Sequence, residues 1–402
     1  MHSARRTGET NASMTADAVP NSGPQASIDG RSSPLVRMIK DSFKAAEPEG
    51  ASMIRFFYGM LFSLDPPTRD LFPANMEQQR DRLFRALVHI VQQVDNPAEL
   101  NPFLEQLARD HRKFGVLTKH YEALGIALIA AVKQHAGAAW SEQVERAWAE
   151  AYTTIARVMQ EAAAADEGPA WWNGEVVENR RINRDLSIVR VRTDYPMRYE
   201  PGQYMSVEVP QRPRLWRYLS PANAPAEDGV LEFHVKAVER GWVSGSVVAH
   251  TRPGEIWRMA SPLGRLRVDR ESGRDALLIA GGTGIAPMRA ILESMAQYGE
   301  NPDVHLYYGA RTVDDLYELD NLRRLADVSP WFEVTAVAEE GADGVHGVQS
   351  GTIAEAVTKA GSWADRDVVV AGSPPMLRAT VSRMLVAGTP LDHIRYDPFT
   401  MD

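Results

Sequence analysis

Cysteine is absent from all 402 residues. Its absence excludes disulfides, thiolate zinc sites, thiol nucleophiles and cysteine-held iron–sulfur clusters. Positive charge is also short: 44 Lys and Arg stand against 53 Asp and Glu, a formal net charge of −9. No dense basic block stands out, so the balance argues against a nucleic-acid partner. Long hydrophobic runs are missing as well, which argues against stable membrane insertion. Arg5-Arg6 is followed by no apolar stretch, so no export signal is read and a cytoplasmic location is expected.

What is present reads as an ordinary globular protein, with 44% hydrophobic and 24% charged residues. A chain of 402 residues predicts two or three domains, each with its own core. Residues 1–33 hold almost no large apolar side chains and are expected to form a disordered tail. Residues 34–165 carry helical periodicity. Leu83, Leu87, Ile90 and Val94 make one apolar face, and Val144, Trp148, Ala151, Ile155 and Met159 make another. Pro66-Pro67 and Pro73 mark a loop between helices. The segment is expected to be an all-α domain, helices packed on helices.

Asp166-Glu167-Gly168-Pro169 then reads as a linker. Over residues 172–270, β-rich runs alternate with turns at Pro201-Gly202, Asp228-Gly229 and Pro253-Gly254, the pattern of a small antiparallel barrel. Over residues 275–402, strands alternate with helical stretches, which predicts a doubly wound parallel sheet with ligands at the strand C-terminal ends.

One turn in that last segment carries the most chemistry. The apolar run Ala276–Ala280 leads into Gly281-Gly282-Thr283-Gly284-Ile285-Ala286-Pro287-Met288. Glycines let the backbone approach a pyrophosphate, and the helix start offers free N–H groups. Pro287 suits a first helical turn. Two further strand ends are expected beside it. Arg311, in Gly309-Ala310-Arg311, either pairs with a nucleotide phosphate or is a solvated loop charge. Ala371-Gly372-Ser373-Pro374-Pro375-Met376 repeats the strand, turn, helix pattern. In the barrel, Arg217-Tyr218-Leu219-Ser220 offers a cation for phosphate and a hydroxyl for a flavin ring, and Gly241-Trp242-Val243-Ser244 offers backbone and hydroxyl contacts.

From residue 172 onward the chain resembles the ferredoxin–NADP reductase superfamily. The resemblance implies that Arg217, Tyr218, Leu219 and Ser220, with Gly241, Val243 and Ser244, form the FAD site. It implies that Gly281, Gly282, Thr283, Gly284, Pro287 and Arg311 line the NADH or NADPH site, with Gly372 and Met376 near the nicotinamide. Leu219 stands where that superfamily has a flavin-stacking tyrosine, and Ala371 where it has a cysteine.

With no cysteine, electrons leaving a flavin need a relay other than an iron–sulfur cluster. Residues 34–165 resemble the globin of flavohaemoglobins, which join a globin to a reductase of this type. The stretch around His111 resembles the region of the proximal histidine, so His111 is the implied iron ligand of haem b. Tyr58 resembles the distal tyrosine. Phe72, fourteen residues later, resembles the phenylalanine that packs on haem. Gln79 and Leu83 resemble the distal glutamine and its apolar neighbour, and Tyr121, ten residues after His111, a proximal tyrosine. Tyr396-Asp397-Pro398-Phe399 resembles the family's ending, with Phe399 over the flavin. Ala163 stands where an acidic residue would support the histidine, and Glu161 is two positions early.

The resemblance implies an oxidoreductase carrying electrons from NAD(P)H through FAD to haem, turning nitric oxide and O2 into nitrate, with Tyr58, Gln79 and Tyr121 serving the reaction. Two alternatives stay open. One is a flavohaem oxidoreductase with a different electron donor or acceptor. The other is a gas-binding or gas-sensing globin that carries its own reductase.

Overall fold

The computed structural model describes residues 33–116 and 118–397. The tail expected at 1–33 lies outside the described residues except for Ser33, and so does Phe399. Ser33 is a helix cap: its side chain accepts from the Val36 amide at 3.3 Å and opens the first helix.

Six helices follow: α1 (Pro34–Ala46), α2 (Gly50–Leu64), α3 (Glu77–Gln93), α4 (Pro97–His111), α5 (Thr118–Ala136) and α6 (Glu142–Ala165). Pro97 starts α4 where its missing N–H costs nothing, and Ser141 caps α6. After α4, a single 3-10 turn (Arg112–Phe114) ends at Gly115, whose φ of 65° suits glycine. The iron-ligand candidate is thus the last residue of a fifteen-residue helix.

Apolar side chains of this helical domain form two separate clusters. One joins α1, α2, α3, α5 and the start of α6 around Phe43, Met53, Tyr58, Leu87 and Trp148. The other joins α4 to the end of α6 around Leu100, Leu104, Ala108 and Met159. A domain of this size ordinarily has one contiguous core. Half-buried apolar residues flank the two clusters: Phe62, Phe72, Leu83 and Leu124 belong to the first, Ile90, Leu107, Tyr121 and Ile155 to the second.

The barrel is built from β1 (Trp172–Arg181), β2 (Leu186–Thr193), β3 (Met205–Glu208), β4 (Arg217–Leu219), β5 (Val230–Lys236) and β6 (Ile256–Met259), in the order β4-β3-β6-β1-β2-β5. A bridge between Pro221 and Phe233 brings its two edges together. Between β5 and β6 lies a helix, α7 (Trp242–His250), which the strand-rich pattern did not announce.

The last segment holds β7 (Ala276–Gly281), α8 (Ile285–Met295), β8 (Val304–Thr312), α9 (Leu319–Val328), β9 (Phe332–Glu340), β10 (Val348–Ser350), α10 (Ile353–Lys359), β11 (Asp367–Ala371), α11 (Pro374–Val386) and β12 (Ile394–Arg395). Its parallel sheet runs β10-β9-β8-β7-β11-β12. Alternation along β7 explains the two layers. Ala276, Leu278 and Ala280 face the cluster of α8 and α9, while Leu277 and Ile279 face that of α10 and α11. The chain order reverses at β7, so a ligand crevice is expected at its C-terminal end.

A polar network ties the barrel to this sheet. Glu232 of β5 accepts from Arg289 of α8, and its Oε1 lies 3.1 Å from His234 Nε2. His234 Nδ1 lies 2.9 Å from the Tyr317 hydroxyl, and Glu293 of α8 accepts from the Ala224 amide at 3.1 Å. Burial alone would raise the Glu232 carboxyl. The His234 hydrogen bond and the Arg289 guanidinium overcome it and hold the group at about 2. A carboxyl depressed on folding contributes stability above its unfolded value and loses it as pH falls toward the folded one. Between roughly pH 4.5 and 2, we expect Glu232→Gln to remove roughly 2–3 kcal/mol of the pH dependence of stability, measured by urea titrations of both proteins across that range.

Candidate functional site

The helical half of the site starts from one hydrogen bond. His111 Nδ1 lies 2.7 Å from the Leu107 carbonyl, one helical turn back. That bond places the proton on Nδ1 and leaves Nε2 as the free ligand nitrogen. Burial holds the imidazole below its ordinary range, against the opposing pulls of Asp110 and of the Leu107 carbonyl. It is therefore neutral near pH 7, the form a metal requires. Among the described residues no group of three or more His, Asp or Glu side chains could hold a metal ion. Haem needs only one such ligand, because its porphyrin supplies the rest.

On the other side of the domain, Tyr58 of α2 lies in a nest of rings. Phe62 and Phe72 are 5.7 and 5.4 Å from it, centroid to centroid, and 5.6 Å from each other. Gln79 of α3 hydrogen-bonds the Tyr58 hydroxyl. Burial pushes that hydroxyl up to about 12, against the pulls of Gln79 and Arg80. Leu83 packs against the same cluster. The structure thus brings Tyr58, Phe72, Gln79 and Leu83 together, with His111 on the opposing cluster. Apolar rings on one cluster and one available imidazole nitrogen on the other are the chemistry that a haem requires.

Tyr121 packs with α4 in the second cluster, and its carbonyl accepts from the Tyr152 hydroxyl. Ala163 packs there too, while Glu161 is exposed and pairs with Arg157 at 3.0 Å. His111 Nδ1 therefore rests on a neutral carbonyl rather than a carboxylate. The other histidines have different roles. His89 lies tilted against Phe103, 4.6 Å between ring centroids, and the buried His120 lies 3.8 Å from Asp65.

In the barrel, β4 sorts its residues by alternation. Leu219 pairs with Met205 and packs on the barrel core. Tyr218 pairs with Ser206 on the opposite face and lies 5.0 Å from Tyr204. Tyr218 is therefore no substitute for a ring at position 219. Arg217 reaches Gln78 of α3 at 3.4 Å, and burial followed by the like charge of Arg82 depresses it. Two guanidiniums drawn together this way suit a phosphate. At the start of α7, a Cβ on Gly241 would meet Ser244 Oγ and Val238 Cγ2, each at 2.5 Å, so only glycine fits. Val243 and Ser244 both make contacts within the barrel. The Val243 side chain is buried in the barrel core, which leaves only its backbone for a ligand. Ser244 Oγ is engaged by the Val238 amide and the Gly241 carbonyl. Beside Tyr204, a cavity of 310 Å³ opens at the seam with α4, lined by Gln106, Arg109, Gln203 and Arg265 among others. These residues fit FAD, whose phosphates need cations and a tight backbone cradle.

The sheet places its three loaded turns side by side, because β8, β7 and β11 are neighbours. Gly282 has a φ of 55° and open space where a Cβ would stand. Thr283 and Gly284 complete the turn, and Pro287 sits buried in the first turn of α8. Gly281 and Gly372 both press on Met376. Arg311 is exposed at the end of β8, and Asp315 is engaged by Lys236 at 2.7 Å. The arrangement fits a dinucleotide.

Sequence reasoning missed the residues that join the halves. Lys113, Asp110, Trp216 and Tyr204 meet where α4 abuts the barrel. The local pattern held only one hint, the Pro201-Gly202 turn that precedes Tyr204.

Gly284 gives a direct test of the crevice. A Cβ there would stand 2.3 Å from the Ala371 carbonyl oxygen, which is backbone and has little freedom to yield. We expect Gly284→Ala to lower stability by roughly 1–3 kcal/mol in thermal melts. Dinucleotide binding should weaken with it, as read by titration calorimetry.

Comparison with known proteins agrees with this layout. The globin family model matches residues 55–159, the oxidoreductase FAD-binding domain 173–268 and the oxidoreductase NAD-binding domain 278–382. The chain is 27% identical to a flavohemoprotein of Bordetella parapertussis over 340 residues, 79% of this chain and 84% of that one. It is 33% identical to the ferredoxin–NAD(P)+ reductase CarAd of Metapseudomonas resinovorans over 227 residues, 56% of this chain and 68% of that one. The crystal structure of the flavohemoglobin from Malassezia yamatoensis with bound FAD and heme superposes with a TM-score of 0.76 at 17% identity, covering 91% of this chain and 98% of that one, a likeness of fold. With a helical globin ahead of a FAD barrel and an NAD sheet in one polypeptide, the chain belongs to the flavohaemoglobin family.

Proposed function

We propose that this protein is a cytoplasmic NAD(P)H-dependent flavohaem oxidoreductase that combines nitric oxide, O2 and one electron into nitrate. One observation carries the reading. The Phe114 ring lies 5.8 Å from the His111 imidazole and 6.3 Å from Trp216, the neighbour of Arg217. A single side chain thus separates the iron-ligand candidate from the flavin strand.

When bound, FAD divides a hydride's electron pair into single electrons and haem supplies an iron that binds diatomic gases. The chain's own residues do the rest. His111 offers Nε2 with its tautomer fixed by Leu107. Tyr58 keeps its proton to about pH 12, so it remains a hydrogen-bond donor across the physiological range. With Gln79 it directs polar hydrogens at a substrate that gains negative character as it reacts. Phe62, Phe72 and Leu83 exclude water from that space. Arg217 and the Gly241 turn hold phosphate, and the glycines at 281, 282 and 284 with Thr283 receive the pyrophosphate of NADH or NADPH at the start of α8. Gly372 and Met376, packed beside Gly281, would line the part of the crevice that holds the nicotinamide.

One observation favours a second reading. The His111 proton rests on a carbonyl where a carboxylate would make the imidazole a stronger donor. A flavohaem oxidoreductase with another acceptor suits that weaker push.

An absorption spectrum of the purified protein should show a Soret band and a flavin shoulder. Stopped-flow mixing with NADH or NADPH should bleach the flavin before the haem is reduced. His111→Ala should abolish normal iron ligation. Tyr58→Phe should release O2 faster and slow nitric oxide consumption by about a hundredfold. Flavin that neither nicotinamide bleaches rejects the reading. Rapid haem reduction with little nitric oxide consumption favours the second one.

A further inference from the structure

Lys113 is the feature that the site leaves unexplained. It is a lysine only 5% exposed, and it stands two residues after the iron-ligand candidate. Its Nζ lies 2.5 Å from Asp110 Oδ1 and 2.5 Å from Ser206 Oγ. Ser206 in turn donates to Asp110 Oδ1 at 2.9 Å, which closes a triangle. Three rings surround the ammonium: Phe114 at 4.9 Å, Trp216 at 5.4 Å and Tyr218 at 5.7 Å. Lys113, Asp110 and Phe114 belong to the globin, whereas Ser206, Trp216 and Tyr218 belong to the barrel.

We propose that Lys113 is a positioning residue, a lock that seats the globin on the FAD barrel and so fixes the separation of His111 from the flavin strand. The part of this inference that concerns electron delivery rests on the function proposed above. A buried ammonium persists only where charge and hydrogen bonds compensate for lost water. Here half of that compensation comes from the other domain, so the cage is complete only when the domains are docked. Cation–π contacts gain strength when desolvated, as these are. Tyr218 adds a hydroxyl 3.5 Å from Asp110 Oδ2 to the same cage. Other ties between globin and barrel among the described residues differ in kind: Arg214 to the Asp70 carbonyl and Arg217 to Gln78 are exposed, and Gln106 to Tyr204 is neutral. Arg112 binds the linker, at Asp166 and Gly168. The lock also sits where it matters most, because Asp110 and Lys113 flank His111. A slip of the barrel at Ser206 would move the iron ligand against Arg217–Ser220.

The test compares Lys113→Met, Lys113→Arg and Ser206→Ala with the unaltered chain. Docking is read on cofactor-free protein by small-angle scattering and by protease cleavage within residues 166–171. Electron delivery is read on loaded protein by stopped-flow, following flavin bleaching and haem reduction separately under carbon monoxide. In Lys113→Met we expect scattering to expand, cleavage to quicken and haem reduction to slow on the order of tenfold to a hundredfold. Flavin bleaching by NADH should not change, since that step lies in the reductase alone. Lys113→Arg should recover part of the loss, and Ser206→Ala should show a smaller loss in the same direction. A Lys113→Met protein that docks and reduces haem like the original overturns the lock. So does slower haem reduction with unaltered docking, which would make the effect electrostatic. Should Lys113→Met not fold, Ser206→Ala decides by the same two readouts. If the unaltered protein lacks a Soret band, the proposed function fails while scattering and cleavage still judge the lock.

Discussion

The hydrogen bond between His111 and the Leu107 carbonyl is the constraint on which the chemistry of this protein depends. An imidazole has two nitrogens, and only a fixed proton makes one of them a dependable ligand. A helix supplies that fixation cheaply, since the carbonyl one turn back is already in place near its C-terminal end. In this chain α4 ends at the histidine itself, and a 3-10 turn with a left-handed glycine redirects the chain at once. The same economy sets a limit. A carbonyl orients the ring without adding the negative charge that a carboxylate would lend, and Ala163 leaves no acid to take its place.

The end of α4 carries a second duty. Residues 110–114 present the proposed iron ligand on one side and the domain seam on the other. Asp110 and Lys113 bind the barrel, and Phe114 touches His111 and Trp216. Ion pairs on the outer surface, such as Arg157 with Glu161, contribute little because water competes for both partners. The buried pair works differently: it is costly to break, and it holds only in one geometry. A short stretch of chain thus sets both the electronics of the ligand and its distance from the flavin.

Much of this was legible in the sequence because it is written in local pattern. Alternation along Ala276–Ala280, the three strand-turn-helix junctions and the helical periodicity of residues 34–165 are all local, and the all-α segment, the barrel and the parallel sheet follow from such patterns. The globin itself was legible through resemblance, in the order of Tyr58, Phe72, Gln79 and His111. What stayed hidden depends on partners distant in the chain. A three-residue strand such as β4 gives no periodicity to read, so which of Tyr218 and Leu219 faces the globin emerges only from its pairing with β3. Ser244 looks like a donor for a ligand until its hydroxyl is seen to donate to the Gly241 carbonyl. Lys113 in sequence is one more cation in a polar turn. Its cage is completed by Ser206, Trp216 and Tyr218, from a domain whose first strand begins at Trp172.

The network around Glu232 bears on how the nicotinamide comes and goes. Helix α8, which begins at the glycine-rich turn, is stapled to the barrel at Arg289 and, one turn later, at Glu293. The helix that would receive the dinucleotide is thereby tied to the barrel. A crevice held in that way would be a slot of set width, not a jaw that shuts on its contents.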